Sequence, residues 1–313
     1  MARVEARGFF MAKFKAFIIA SGALFALARS AAAADLLPPP PALEPPPPVM
    51  EFGGWYLRGD VGLGWNATAP SLAVSPDPLA VGIAGGTLDS AATNTFNNST
   101  ISASGIFDFG FGYQFNSWFR ADVTEELRGG AGFQTLEVLN EPNIVGSNTS
   151  SQQYADFYRA NLGSYVTMFN GYADLGTWSG ITPYVGAGVG FAYNRLFGMT
   201  DTGTAFSNGV LSPVGGYLED GGKWNFAWGL MAGLSFDVTQ NLKLDLGYRY
   251  LDYGKFTSGV SHCLNGTGTG TGFSCQGYTV YSKNELASND LRIGLRWMIG
   301  ENAPAPAPLV RKY

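Results

Sequence analysis

Arginine and carboxylate side chains that recur at every second position are the residues of this sequence best suited to specific chemistry. Alternate residues of a β-strand point to the same face, so Arg58 and Asp60, or Arg120 and Asp122, would share a face. Arginine and carboxylate groups pair in a planar geometry that suits a site closed to water. The candidate charge network is Arg58, Asp60, Asp108, Arg120, Asp122, Asp237, Lys243, Asp245, Arg249, Arg292 and Arg296, with Asp60, Arg249, Arg292 and Arg296 expected at its centre.

The chain lacks the residue pattern of an enzyme. A nucleophile that acts on esters or lipids needs a neighbouring base, which is commonly a histidine. His262 is the only histidine, and we interpret it as a solvated loop residue. The sequence therefore predicts no enzymatic activity, no metal site and no cofactor.

Residues 1–34 have the order of a secretory signal peptide. Basic residues, among them Arg3 and Lys15, precede an apolar run over 16–28, and small residues follow over 30–34. The alternative is a membrane anchor, but the run is shorter than the roughly 20 residues that a spanning helix needs. We therefore predict export and a mature chain that begins near Asp35.

The composition argues against a nucleic-acid partner. The net charge is −5, and it becomes about −9 once the leader, with five basic residues and one acidic residue, is removed. Binding to the phosphate backbone requires a basic surface. Charged residues make up only 14 % of the chain, against about 25 % in an average soluble domain.

The two cysteines, Cys263 and Cys275, lie close together in the sequence. They are not arranged as a CxxC metal motif. In an exported protein such a pair predicts a disulfide.

Between a proline-rich spacer at 35–51 and an Ala/Pro-rich tail at 301–313, residues 52–300 repeat one pattern. Apolar and polar residues alternate over long runs, which is typical of strands exposed on one face. Only 160–176 is unclear, because apolar residues there occupy both parities. The eight predicted strands are 55–66, 101–115, 118–127, 160–176, 181–194, 224–238, 242–250 and 289–299.

The connections between these strands alternate between long and short. The short ones centre on 116–117, 177–180 and 239–240, and the long, polar ones cover 67–100, 128–159, 195–222 and 251–284. Tight turns at one end and long loops at the other are typical of a transmembrane β-barrel with both termini in the periplasm. The sequence thus predicts an all-β, eight-stranded antiparallel up-and-down barrel in the outer membrane.

A soluble, lipocalin-like barrel has the same alternation with its faces reversed. Two features favour the membrane form. Trp55, Trp65, Trp224 and Trp297 lie near strand ends, where aromatic girdles form at membrane interfaces. The apolar faces also carry almost no charge.

Several segments resemble a known family. These are 54–62 (GWYLRGDVG), 182–190 (TPYVGAGVG) and 246–250 (LGYRY). They are similar to small outer-membrane barrels of alpha-proteobacteria, relatives of the opacity-type proteins and of the membrane domain of outer-membrane protein A. The resemblance covers about residues 50–300. It implies an abundant, porin-like surface barrel that barrel assembly machinery inserts, and it leaves open a haem receptor with His262 as an axial ligand.

An eight-stranded barrel has an interior that side chains can fill. Charges there must pair, because their desolvation is otherwise costly. We therefore interpret the charge network as a plug, with an ion pathway as the alternative. The predicted role is a structural protein of the envelope, in contact with lipid and lipopolysaccharide, whose long loops meet host or surface ligands. A channel for small solutes remains the alternative.

Overall fold

The computed structural model describes residues 53–75, 87–88, 93–145, 150–207, 209–263 and 277–299. They belong to one compact unit of the chain, residues 50–313. The predicted signal peptide, spacer and C-terminal tail lie outside the described residues and remain predictions. No helix in the described part of the chain is long and apolar enough to cross a membrane.

Eight strands pair in a closed antiparallel ring, which confirms the predicted barrel. The order around the ring is β1, β5, β6, β7, β8, β10, β11 and β14, and β14 returns to β1. Closure leaves no unpaired strand edge in the ring. The ring strands are β1 (Gly54–Asn66), β5 (Ser104–Gln114), β6 (Phe119–Val145), β7 (Ser150–Asp174), β8 (Ile181–Ser207), β10 (Gly221–Asp237), β11 (Leu242–Gly254) and β14 (Leu286–Ile299).

The three predicted short turns are confirmed, and they lie together at what we call the short-turn end. Asn116 joins β5 to β6, and its side-chain oxygen accepts hydrogen bonds from the backbone N–H groups of Trp118 (3.0 Å) and Phe119 (2.7 Å). Between β7 and β8, Ser179 and Gly180 both have positive φ, as a tight turn requires. Thr239 caps the turn from β10 to β11 through Leu242 N–H.

The opposite, long-hairpin end differs from the prediction of long polar loops. Much of 128–159 and 195–222 is strand, because β6, β7 and β8 continue far past their predicted ends. Shorter strands join them: β4 and β3 pair with β6, β9 pairs with β8, β12 pairs with β9, and β13 pairs with β2. These are β2 (Leu72–Ser75), β3 (Thr87–Leu88), β4 (Thr93–Ile101), β9 (Val210–Leu218), β12 (Ser261–Cys263) and β13 (Thr279–Ser282).

The continued parts of β6, β7 and β8, together with the shorter strands that join them, form what we call the extension. β-Bulges separate the barrel from this extension. The β6–β7 register shifts between Arg128 and Ala131, and Gly130 there has φ +76°. The β7–β8 register shifts between Arg159 and Asn161, opposite Gly198 with φ +62°. An extra residue on one strand exchanges its two faces. In β6 the buried side chains accordingly change from even to odd positions after Gly130.

The two faces of the barrel have the polarity of a membrane protein, so the lipocalin alternative is wrong. Large apolar side chains point outward and form what we call the outward apolar band. Two examples are Phe109, which is 58 % exposed, and Ile293, which is 55 % exposed. Exposed Trp55 and Trp65 mark the two ends of the apolar part of β1. Ten residue steps, each about 3.3 Å and tilted by about 40°, span about 25 Å, which matches the apolar band of outer-membrane barrels.

An apolar core fills the long-hairpin end. We call it the apolar cap; it includes Leu72, Val74, Phe133, Phe256, Val280 and Leu286, all buried in one cluster. The rings of Phe133 and Phe256 meet edge to face, with 5.4 Å between centroids. The described parts of 67–100 and 251–284 thus contribute to a packed apolar core, where the sequence predicted polar loops.

Candidate functional site

Nine of the eleven predicted charges lie buried in the barrel lumen, where they form three layers. The cause is the strand parity: side chains alternate between the outer face and the lumen on each ring strand. We name the layers by position as the short-turn, middle and long-hairpin layers. The nine residues are Arg58, Asp60, Asp108, Arg120, Asp122, Asp245, Arg249, Arg292 and Arg296.

Arg58 is the centre of the middle layer. Its Nε and Nη2 each donate to one carboxylate oxygen of Asp60 at 2.9 Å, and its Nη1 donates to Asp122 at 3.0 Å. Arg292 pairs with Asp108 and lies 3.4 Å from Asp60. Two arginines therefore share three carboxylates in this layer, with their side chains almost wholly removed from solvent.

Arg128 and Arg249 share two carboxylates in the long-hairpin layer. Arg128 donates to both oxygens of Asp290, at 2.8 and 2.9 Å, and to Glu126 at 3.0 Å. Arg249 donates to both oxygens of Glu126, at 2.6 and 2.8 Å, and its Nε donates to Asp290 at 2.9 Å. Bidentate pairs of this kind fix both partners in position.

The short-turn layer contains two separate ion pairs. Arg296 donates to both oxygens of Asp245, at 3.1 and 3.2 Å. Arg120 donates to Asp174 at 3.1 Å, and its guanidinium lies 4.1 Å from the centre of the Tyr172 ring. A cation over an aromatic face is stabilised where water is excluded.

Two residues link the layers into one network. Tyr172 stacks on Arg120 of the short-turn layer, and its hydroxyl accepts a hydrogen bond of 2.8 Å from Arg58 of the middle layer. Arg292 of the middle layer lies 3.9 Å from Glu126 of the long-hairpin layer. The paired charges are therefore continuous along the lumen.

The prediction was wrong at Asp237 and Lys243. These two pair with each other at the turn between β10 and β11, where Asp237 is exposed and Lys243 is partly exposed. They lie at the last positions of the ladder between the two strands, so their side chains reach solvent. The expected centre was also only partly right, because Arg296 belongs to the short-turn layer.

Four lumen charges were missing from the predicted set: Glu126, Arg128, Asp174 and Asp290. Parity would have identified three of them. Glu126 and Arg128 continue the even-numbered series of Arg120 and Asp122, and Asp290 precedes Arg292 by two residues. Asp174 gave no such signal, because β7 is apolar on both faces: Val166 and Met168 are buried while Tyr165 and Phe169 face outward.

The side chains of the middle layer surround a small cavity. A cavity of about 10 Å³ lies between Arg58, Arg292 and Tyr184, which is room for about one water molecule. The glycines of β8 make this packing possible. A Cβ at Gly186 would lie 2.6 Å from the Tyr172 ring, and one at Gly188 would lie 3.1 Å from the Met168 methyl.

His262 lies away from the lumen network, at the long-hairpin end. Its Nε2 is 2.9 Å from Glu219, and its ring stacks on Tyr217. Within the described ranges, no group of three or more His, Cys, Asp or Glu side chains is arranged to hold a metal ion. Cys263 is the last residue of β12, whereas Cys275 lies outside the described residues, so their disulfide remains a prediction.

Comparison with known proteins supports the same architecture. Residues 80–274 match the family model described as the Opacity family porin protein, and this is more than half of the chain. The chain belongs to the Opacity family. The resemblance to small alpha-proteobacterial outer-membrane barrels is thereby confirmed, and the cell outer membrane is the location of the protein.

Three known proteins are similar in sequence to this Opacity-family chain. An uncharacterized protein of Brucella melitensis is 32 % identical over 216 residues, which cover 63 % of this chain and 67 % of the relative. Outer membrane protein PagN of Salmonella typhimurium is 30 % identical over 206 residues, 62 % of this chain and 73 % of PagN. A putative adhesin of Rickettsia conorii is 32 % identical over 148 residues, 44 % of this chain and 56 % of the adhesin.

Proposed function

We propose that this protein is a non-enzymatic outer-membrane barrel with a closed lumen, which strengthens the envelope and presents its long hairpins to partners at the cell surface. The observation that carries the proposal is the continuous, paired charge network, next to which the cavity has room for about one water molecule. A channel for small solutes needs a continuous aqueous path, which this packing opposes.

The energetics of the network favour a fixed plug over a gate. An ion that crossed the lumen would have to separate Arg128 and Arg249 from Glu126 and Asp290. Removing one partner of a buried ion pair costs roughly 3–5 kcal/mol, because a charge is left uncompensated. Arg249 by itself donates four short hydrogen bonds, of 2.6–2.9 Å, to these carboxylates. The apolar cap further covers the long-hairpin end with buried side chains.

Orientation follows from the two ends of the barrel. In bacterial outer-membrane barrels the short turns face the periplasm and the longer loops face outward. We therefore propose that the short-turn end and both termini are periplasmic. Lipid contacts the outward apolar band, lipopolysaccharide meets its outer margin near Trp224 and Trp65, and barrel assembly machinery inserts the chain.

The β8–β9 hairpin is the best candidate surface for a partner. Val210 and Leu211, at its tip, are 60 % and 66 % exposed, and Phe206 on the paired strand is 40 % exposed. This tip lies beyond the β-bulge at Gly198, outside the outward apolar band. The names of two relatives, PagN and a putative adhesin, are consistent with a role at the surface.

Binding to host cells by liposomes that carry the full mature chain tests the surface role. We expect the double variant Val210→Ser, Leu211→Ser to bind several-fold less than the wild type, because the exposed apolar contact is lost. Ser212→Ala, on the same hairpin, is the control and should bind like the wild type. Heat-modifiable migration on a gel shows that each barrel is folded. Binding equal to that of empty liposomes, or unchanged in the double variant, contradicts this role.

A further inference from the structure

Three carboxylic acids lie together in the extension, beyond the β-bulges and outside the outward apolar band. Glu137 on β6 is directly opposite Asp156 on β7, and Asp201 on β8 is opposite Tyr158, two residues farther along β7. Glu137 and Asp201 are buried, and Asp156 is partly buried. We call these three residues the acid cluster.

Two tyrosines connect the acid cluster. The Tyr158 hydroxyl donates to Glu137 at 2.7 Å and lies 2.8 Å from the Tyr278 hydroxyl. The Tyr278 hydroxyl in turn lies 3.5 Å from Asp201. A chain of hydroxyl groups therefore joins carboxyls on β6 and β8 to the segment that precedes β13.

Among the residues described, the acid cluster differs from the lumen network in its lack of a paired cation. Each lumen layer contains arginines, but in the described part of the chain no Lys, Arg or His forms an ion pair with Glu137, Asp156 or Asp201. One oxygen of Asp156 and one of Asp201 are buried without a hydrogen-bond partner. A buried carboxylate in this state is unfavourable, whereas a protonated carboxyl has a proton to donate.

The neighbouring elements add no compensating charge within the described residues. On β4, Asn94 donates to Glu137 at 2.7 Å, and on β9, Gly216 is opposite Asp201. His262 of β12 is engaged by Glu219 and Tyr217 instead. Arg159 lies on the exposed face of β7, over the ring of Phe157.

We propose that the acid cluster is a pH-sensitive switch, which holds the strands of the extension together when it is protonated and loosens them as it loses protons. Three ionised carboxylates on adjacent strands would repel one another where no cation offsets them. Shared protons convert the same groups into hydrogen-bond donors between β6, β7 and β8.

The acidities of these groups support the proposal. Burial, followed by the charges of Asp201 and Glu137, raises the pKa of Asp156 to about 8. Burial and then Glu137 raise the pKa of Asp201 to about 6, and burial raises the pKa of Glu137.

The sign of the effect follows from linkage. In an unfolded chain an aspartate has a pKa of about 3.9, so the folded extension binds these protons more tightly. Stability rises with pH only where the unfolded state binds more protons, and here it binds fewer. The stabilising contribution is therefore full at low pH and is lost between about pH 4 and pH 8.

Amide hydrogen exchange on the full mature chain in detergent micelles tests the switch. Protection factors, corrected for the intrinsic effect of pH on exchange, should fall about tenfold from pH 5 to pH 9 in the extension. Protection in the barrel part of β6, at residues 120–127, should stay constant and serves as the internal reference. We expect the double variant Asp156→Asn, Asp201→Asn to abolish the pH dependence, since asparagine keeps the shape but does not titrate.

Asp220→Asn is the matched control, because Asp220 is an exposed aspartate of the same end whose pKa is lowered by the Gly198 N–H and by Arg195. It should retain the wild-type response. A carboxyl NMR titration of the wild-type chain makes the test independent of how well the variants fold. If Asp156 and Asp201 both titrate below pH 5, or if the wild-type extension is equally protected at both pH values, the proposal is wrong. Binding of added Ca²⁺ with loss of the pH dependence would also contradict it.

Discussion

At the scale of single residues, four of the lumen arginines (Arg58, Arg128, Arg249 and Arg292) each contact more than one carboxylate. Arg58 bonds two aspartates, Arg249 bonds a glutamate and an aspartate, and Arg292 lies against Asp60 and Asp108. A guanidinium has five N–H donors in a rigid plane, so one arginine can satisfy several carboxylates at once. Lysine has one compact charge and would leave some of these oxygens unpaired.

Arg249→Met should destabilise the barrel strongly. The substitution keeps much of the side-chain volume but leaves Glu126 and Asp290 with Arg128 as their main cation. We expect a loss of roughly 3–5 kcal/mol in the free energy of unfolding. Urea unfolding in lipid or detergent, followed by heat-modifiable migration on gels, measures it.

Arg195→Met is the control for that measurement. Arg195 also pairs with an aspartate, Asp220, but both side chains are about half exposed. An exposed pair contributes at most about 1 kcal/mol, so this variant should unfold close to the wild type. Equal effects at Arg195 and Arg249 would mean that the lumen pairs do not support the fold.

Much of the lumen site could be predicted from residue parity alone. Arg58, Asp60, Arg120 and Asp122 occur at every second position of strands whose other face is apolar, and the structure buries all four. What parity did not give is where a strand stops. The predicted end of the third strand at 127 excluded Arg128, and it assigned Glu126 to a strand end.

At the scale of elements, glycine determines where the barrel pattern ends. Gly130 and Gly198 adopt positive φ at the bulges, which side chains other than glycine rarely adopt. Each bulge exchanges the inward and outward faces, so alternation read across it appears to fail. The segments 128–159 and 195–222 were predicted as loops because they are polar and rich in Gly, Asn, Ser and Thr, although β6, β7 and β8 run through much of them as strands.

Gly188 on β8 faces the lumen at a position with too little room for a larger side chain. A Cβ at Gly188 would overlap Asn170 Oδ1 and approach the methyl groups of Met168 and Met231. Gly188→Val should therefore overpack the lumen and cost about 1–3 kcal/mol of folding free energy. Ala187 is next to it and faces outward, so Ala187→Val should have little effect.

Thermal unfolding of the two valine variants, measured by heat-modifiable migration, gives the comparison. Both variants place a valine in the same strand, one residue apart and on opposite faces, so the new residue has the same strand propensity in each. A lower unfolding temperature for Gly188→Val than for Ala187→Val is the expected outcome. Equal temperatures would show that the lumen beside β8 has room to spare.

At the scale of the whole molecule, the barrel and its extension contain three different kinds of buried interior. Paired charges fill the lumen, the apolar cap covers the long-hairpin end, and the acid cluster lies in the extension beyond the bulges. Periodicity in the sequence predicted the ring, because a bilayer requires apolar outer faces and closed hydrogen bonding. It could not predict the apolar cap, which forms from short segments such as β2 and β13 that meet only in three dimensions.

We propose that the lumen of this Opacity-family barrel is closed, and single-channel recording distinguishes a closed lumen from a channel. The full mature chain, inserted into a planar bilayer and checked for folding by heat-modifiable migration, should give no stable conductance steps. The buried pairs of the three layers and a cavity with room for about one water molecule lead to that expectation. Reproducible steps of uniform size from the folded wild-type protein would contradict it.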